Sequence, residues 1–189
     1  MAEPKKSRKL RAFIHVSLDG YFVDAHGDMR WAHRHDAEWN TFVAENSRGG
    51  GALVFGRVTW EQMASYWPTP AARAANPVVA ARMTQMPKYV FSTTLKKPTW
   101  KNTTVLKGPL AQAMKKLKRT AGPDLVTLGS GSIVGQLLAE GLIDELQVVV
   151  NPIVLGAGRT PFEGSGTAEL TLKSSRAFSN GNVVLTYVP

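Results

Sequence analysis

Two short segments carry the residue types and spacing of phosphate-binding turns. They are Ala52-Leu53-Val54-Phe55-Gly56-Arg57-Val58-Thr59-Trp60-Glu61 and Leu125-Val126-Thr127-Leu128-Gly129-Ser130-Gly131-Ser132-Ile133. Each runs an apolar stretch into a glycine, after which a hydroxyl residue opens a helical pattern. Exposed N–H groups at a helix start, backed by the helix dipole, attract phosphate. Gly56 lets the backbone approach a ligand closely, and Arg57 offers a guanidinium fork to a phosphate. Thr59 opens a capping box with Gln62. The two turns lie about 70 residues apart, and two phosphate sites fit the two ends of a dinucleotide better than one mononucleotide. The second turn, Gly129-x-Gly131-x-x-x-Gly135, misses the dinucleotide fingerprint by one place. Asp144 and Glu145 also come too early to hold ribose hydroxyls. Taken alone, that segment reads as a tight turn.

Other chemistry-bearing residues are fewer. Asp19, beside Gly20 at the end of an apolar strand, is either a candidate catalytic carboxylate or a turn residue. Asp36, ahead of a helical pattern, is either a second carboxylate or a plain N-cap. The four histidines, His15, His26, His33 and His35, contain no i, i+4 pair. His33-x-His35 chelates only from a strand, and its segment reads as loop, so no metal site is expected.

The elements that must position these groups follow from periodicity. Strands are expected at Arg11 to Leu18, Ala52 to Phe55, Tyr89 to Phe91, Leu125 to Leu128 and Glu145 to Val150. Two more, at about 168–174 and 183–188, flank the hairpin signal Asn180-Gly181. Helices are expected at Asp36 to Glu45, with Trp39, Phe42 and Val43 on one face, and after Pro109, with Leu110, Met114 and Leu117 as its stripe. Others begin at Thr59 and at Ser132, the last stopped by Gly141. Residues 67–77 read as a long surface connection. The alternation predicts an α/β fold in three layers, its central sheet mostly parallel with an antiparallel C-terminal edge hairpin. Ligands on such a sheet gather at the carboxyl ends of the strands, where both glycine turns lie.

At 189 residues the chain fits one domain. A basic arm is expected over residues 1–10 and a single domain over 11–189. With no cysteine, disulfides, thiolate zinc sites and a cysteine nucleophile are excluded. No apolar run reaches the roughly 18 residues of a membrane span, and the first residues lack the apolar core of a secretion signal, so a cytoplasmic location is expected. The net charge of +9 includes a cluster at Lys115, Lys116, Lys118 and Arg119. No aromatic-interleaved basic patch accompanies it, so no nucleic-acid partner is expected. The charge suits attraction of a phosphorylated ligand.

From about Arg11 onward the chain resembles the dihydrofolate reductase superfamily, especially the reductase domain of riboflavin biosynthesis and its stand-alone relatives. The resemblance rests on Val16-Ser17-Leu18-Asp19-Gly20, Phe55-Gly56-Arg57-Val58-Thr59-Trp60-Glu61, Val90-Phe91-Ser92-Thr93 and Leu128-Gly129-Ser130-Gly131-Ser132. Gly141-Leu142-Ile143-Asp144-Glu145-Leu146 and Pro152-Ile153-Val154-Leu155-Gly156-Ala157-Gly158 are typical of the riboflavin-type branch.

That resemblance implies an oxidoreductase using NADPH on a small heteroaromatic, pterin-like or pyrimidine-like substrate. It places Arg57 and Ser92 near the adenosine 2′-phosphate and makes Thr93 a further cofactor-binding residue. Thr59, Ser130, Gly131, Ser132 and Ile133 would line the pyrophosphate with Gly56 and Gly129, and the nicotinamide would lie near Asp19, Gly20 and the Gly129 turn. Trp31 and Asp36 have the spacing of the superfamily's tryptophan and pterin-binding carboxylate, so Trp31 and Trp60 stand as substrate-binding candidates and Asp19 and Asp36 as catalytic ones. A homodimer is implied as well. Leu128 stands where many riboflavin-pathway reductases place a glutamate. The competing class is a nucleotide-binding relative without turnover.

Overall fold

The computed structural model describes residues 7–48 and 50–189. Residues 1–6, most of the expected basic arm, lie outside the described residues. The remainder of that arm is part of the domain: Arg8 is buried, its guanidinium bonded to Pro123 and Thr120, and Leu10 opens the first strand.

In chain order the elements are β1 (Leu10–Ser17), β2 (Val23–Asp24), a 3-10 turn (Arg30–Ala32), α1 (Ala37–Arg48), β3 (Ala52–Gly56), α2 (Arg57–Tyr66), α3 (Pro70–Ala75) and α4 (Pro77–Gln85). After these come β4 (Lys88–Phe91), β5 (Thr103–Leu106), α5 (Leu110–Lys118), β6 (Leu125–Leu128), α6 (Gly131–Ala139), β7 (Glu145–Asn151), β8 (Gly158–Arg159), β9 (Thr171–Ala177) and β10 (Val183–Val188). Eight strands form one sheet in the order β5-β4-β3-β6-β1-β7-β10-β9. The first six are parallel, and β10 and β9 close the edge antiparallel. The expected three-layer α/β architecture with its C-terminal hairpin is therefore observed.

The layers follow from side-chain alternation. Leu10, Ala12, Ile14 and Val16 of β1 face α5 and α6, where Met114, Leu117, Ile133, Val134 and Leu137 complete one core. Phe13 points to the opposite face, where Trp39, Phe42 and Val43 of α1 meet Val149 and Val184. Beneath α2 and α4, Leu53, Phe55, Trp60, Val79, Met83 and Val90 form a third cluster.

Three local expectations give way to the structure. Residues 67–77 hold α3, and α4 starts at Pro77, because Thr69 and Asn76 accept N-cap bonds and the prolines stand in the first helical turn. The α2 helix starts at Arg57 with Gly56 as its cap, so Thr59 lies inside the first turn and the capping box with Gln62 does not form. Strand β9 runs over Thr171–Ala177, later than expected, with every residue exposed. Lys173 sits where the β9–β10 register shifts, a device that discourages edge-to-edge pairing.

Candidate functional site

The carboxyl ends of the parallel strands hold both glycine turns side by side. At the second, Gly129 and Ser130 adopt φ of +67° and +62°, and α6 follows at once. The Ser130 carbonyl takes the Ile133 and Val134 N–H groups, so the N–H groups free at this helix start belong to the residues before Ile133. Ser130 Oγ accepts from Gly56 N at 3.0 Å, which ties the two turns together. A Cβ on Gly129 would come within 3.9 Å of Thr59 Cγ2. The structure thus brings Gly56, Thr59, Gly129, Ser130, Gly131 and Ser132 into one place. Ile133 departs: its side chain is buried against Gly56, so it shapes the turn from below.

Beside this pair of turns, at the ends of β4 and β5, lies an open cleft of about 470 Å³ lined by Arg57, Phe91, Ser92, Thr93, Lys107 and Gly108, among others. Arg57 is half exposed and chelates Glu61, with Nη1 at 3.0 and 2.8 Å from its two carboxylate oxygens. Such an exposed i, i+4 pair is worth about 0.5 kcal/mol, less than a charge-assisted bond to phosphate, so a dianion outbids Glu61. Ser92 Oγ accepts from the N–H groups of Thr94 and Leu95 and shapes the turn. Lys107 is exposed, and no ion pair engages it among the described residues. Sequence reasoning missed Lys107 because it missed β5. The signal was the β-forming run Thr103-Thr104-Val105-Leu106 directly before it.

At the other end of the site, Asp19 is fixed. It accepts from Ser17 Oγ at 2.6 Å, Gly156 N at 2.8 Å and Leu155 N at 3.1 Å. Those bonds, the Ser17 hydroxyl foremost, hold its carboxyl down at about 2. Through these bonds Asp19 clips the loop after β1 to the loop after β7. Next to it Gly20 is open, with no atom within 4 Å of a Cβ built there.

The remaining substrate-side candidates take structural roles. Asp36 caps α1, accepting from Trp39 N at 2.7 Å and from Ser179 Oγ at 3.0 Å. Trp31 sits in the 3-10 turn and donates its indole N–H to the Asp28 carbonyl; no hydrogen bond joins it to Asp36. Trp60 is buried in the α2–α4 core and donates to Thr103 Oγ1, so it is no substrate contact. Phe22, which the motifs passed over, lies on Gly131: a Cβ there would meet its ring at 2.6 Å.

Beneath the Trp31–Asp36 loop, a polar row crosses the sheet. Ser17 pairs with Asn151, and Asn182 follows one step beyond the Val183–Val150 pair. Asn151 Oδ1 and both side-chain amide atoms of Asn182 are buried without hydrogen-bond partners among the described residues. His15 Nδ1 lies 3.3 Å from Asn151 Nδ2, and burial pushes the imidazole down to about 4 despite that contact.

Set beside known proteins, the chain matches the family model described as the RibD C-terminal domain over residues 8–184. The chain belongs to that family. The chain is also similar to the uncharacterized protein YyaP of Bacillus subtilis (strain 168), 24% identical over 99% of this chain and 98% of that protein. Two solved structures share the RibD C-terminal fold. A Thermotoga maritima diaminohydroxyphosphoribosylaminopyrimidine deaminase/5-amino-6-(5-phosphoribosylamino)uracil reductase superposes with TM-score 0.69 at 16% identity, covering 98% of this chain and 57% of that one. Enterococcus faecalis dihydrofolate reductase, complexed with NADP(H), superposes with TM-score 0.64 at 15% identity over 95% of each chain. No helix among the described residues is long and apolar enough to cross a membrane.

Proposed function

We propose that this chain is an NADPH-dependent reductase that passes hydride to a C=N or C=O carbon of a small pterin-like or pyrimidine-like substrate in the cytoplasm. One observation carries the reading: the cleft that gathers Arg57, Ser92, Thr93 and the unpaired Lys107 adjoins two helix starts joined through Ser130. Two cations and two hydroxyls suit a 2′-phosphate, and the adjoining N–H groups suit a pyrophosphate. Membership of the RibD C-terminal family and the fold shared with an NADP(H)-bound dihydrofolate reductase support it.

When bound, the nicotinamide supplies the hydride; the chain's own residues bind and orient. Gly20 leaves room for a ring beside the clipped Asp19. With Asp19 ionised and Asp36 engaged as a cap, the proton comes from water. The same two facts favour the second reading, a nucleotide-binding relative without turnover. A homodimer belongs to the proposal too, and light scattering tests it: a mass of one chain removes it.

Nicotinamide fluorescence titrations with NADPH and NADH test the cofactor. Tight NADPH binding is expected, with Lys107→Ala weakening it by about tenfold towards the NADH value, the loss of one charge-assisted contact. Arg57→Ala should act the same way. Failure of both nucleotides to bind at submillimolar concentration removes the reductase reading. Binding with no oxidation by any pterin or pyrimidine selects the non-catalytic one.

A further inference from the structure

We propose that Arg159 is a cofactor-gripping residue, placed by the β2–β8 clasp to bind the pyrophosphate that joins the two halves of the dinucleotide. The inference rests on the reductase reading and adds a residue that none of its motifs contains.

The clasp is built for close approach. Val23 pairs with Arg159 and Asp24 with Gly158, and Phe22 N donates to the Arg159 carbonyl at 2.9 Å. A side chain on Gly158 is impossible there: its φ is +155°, and a Cβ would fall 2.1 Å from the Val23 carbonyl oxygen. The segment that follows lies on α6, with the Pro161 carbonyl against Gly135 and the Phe22 ring against Gly131. Backbone geometry therefore fixes Arg159 beside the first turn of α6.

Its side chain is free to act. Arg159 is exposed, no carboxylate pairs with it among the described residues, and its guanidinium rests 5.4 Å from the centre of the Phe22 ring. That ring touches Gly131, the first residue of α6. A cation–π contact at an exposed site is weaker than a charge-assisted hydrogen bond to phosphate, so the arginine has reason to leave the ring for an anion at the helix start. Arg57 and Lys107 line the cleft at the ends of β4 and β5, which suits the 2′-phosphate. On the Gly131 side stands Arg159, a cation with no ion pair among the described residues.

The location dictates the test. NADPH and NADH share the pyrophosphate and differ in the 2′-phosphate, so Kd values for both are measured by nicotinamide fluorescence on wild type, Arg159→Ala, Arg159→Lys and Lys107→Ala. Circular dichroism melts confirm that each variant is folded. Arg159→Ala should weaken both nucleotides by about tenfold and by equal factors. Arg159→Lys, which keeps the charge and loses the fork, should fall between, while Lys107→Ala changes the preference between them. If wild type binds NADPH and Arg159→Ala binds it equally well, or loses affinity for NADPH alone, the inference is overturned and the reductase reading stands. If wild type binds neither nucleotide, both fall.

Discussion

Gly135→Ala is expected to destabilise the chain by about 2 kcal/mol, although alanine is the better helix former. In the middle of α6 the exchange gains about 1 kcal/mol of helix propensity. Against that, the new methyl would lie 2.6 Å from the Pro161 carbonyl oxygen and 3.6 Å from Phe162 Cα. Overpacking costs about 1–3 kcal/mol and sometimes more. The upper end applies because the obstacle is backbone, tethered through β8 to β2. For a chain of this size the net loss lowers Tm by about 4–8 °C. Gly131→Ala is the control. The atoms it meets belong to the Phe22 ring, a side chain rather than backbone, so its loss in Tm should be smaller than that of the Gly135 variant. Equal melting of the Gly135 variant and wild type would mean that the 158–162 segment yields easily, and would weaken the case that it fixes Arg159.

The second large effect is an acid-dependent loss of stability centred on His15. Burial holds its imidazole at about 4, against 6.5 in the open chain, with Asn151 opposing the shift and His33 and His35 adding to it. Phe13 and Trp39 pack edge-on against the ring. Above pH 6.5 the ring is neutral in both states and stability does not vary with its titration. Between pH 6.5 and 4 the unfolded chain takes up a proton that the folded chain refuses, so stability falls with falling pH. The full loss, about 3 kcal/mol, is reached below pH 4. Urea unfolding of wild type and His15→Gln over pH 3.5 to 7.5 isolates the effect: the wild-type advantage should shrink by that amount on acidification. Parallel pH curves would refute it.

The strands were legible where apolar runs were long. β1, β3, β6, β7 and β10 announce themselves, as does the stripe of α5. β9 carries no alternation, because neither of its faces is buried, and only the Asn180-Gly181 signal located it. Prolines 70 and 77 read as breakers, but with Thr69 and Asn76 as caps they start helices. The glycine turns were readable because a glycine at the junction of a strand and a helix is a local signal. Asp19, Asp36 and Trp60 were not. What decides their roles is the Leu155 and Gly156 N–H groups, Ser179 and Thr103, partners that periodicity cannot supply.

The central strand carries a consequence for how the chain comes to exist. β1 lies between β6 and β7, and Asp19 at its end bonds Leu155, 136 residues later. During synthesis the first strand must wait, unpaired, until most of the polypeptide has emerged. Contacts so distant in sequence slow folding, and an apolar strand without neighbours invites aggregation. The clip between the loops after β1 and β7 is thus among the last parts of the molecule to form, and a chain cut short before β7 would lack it.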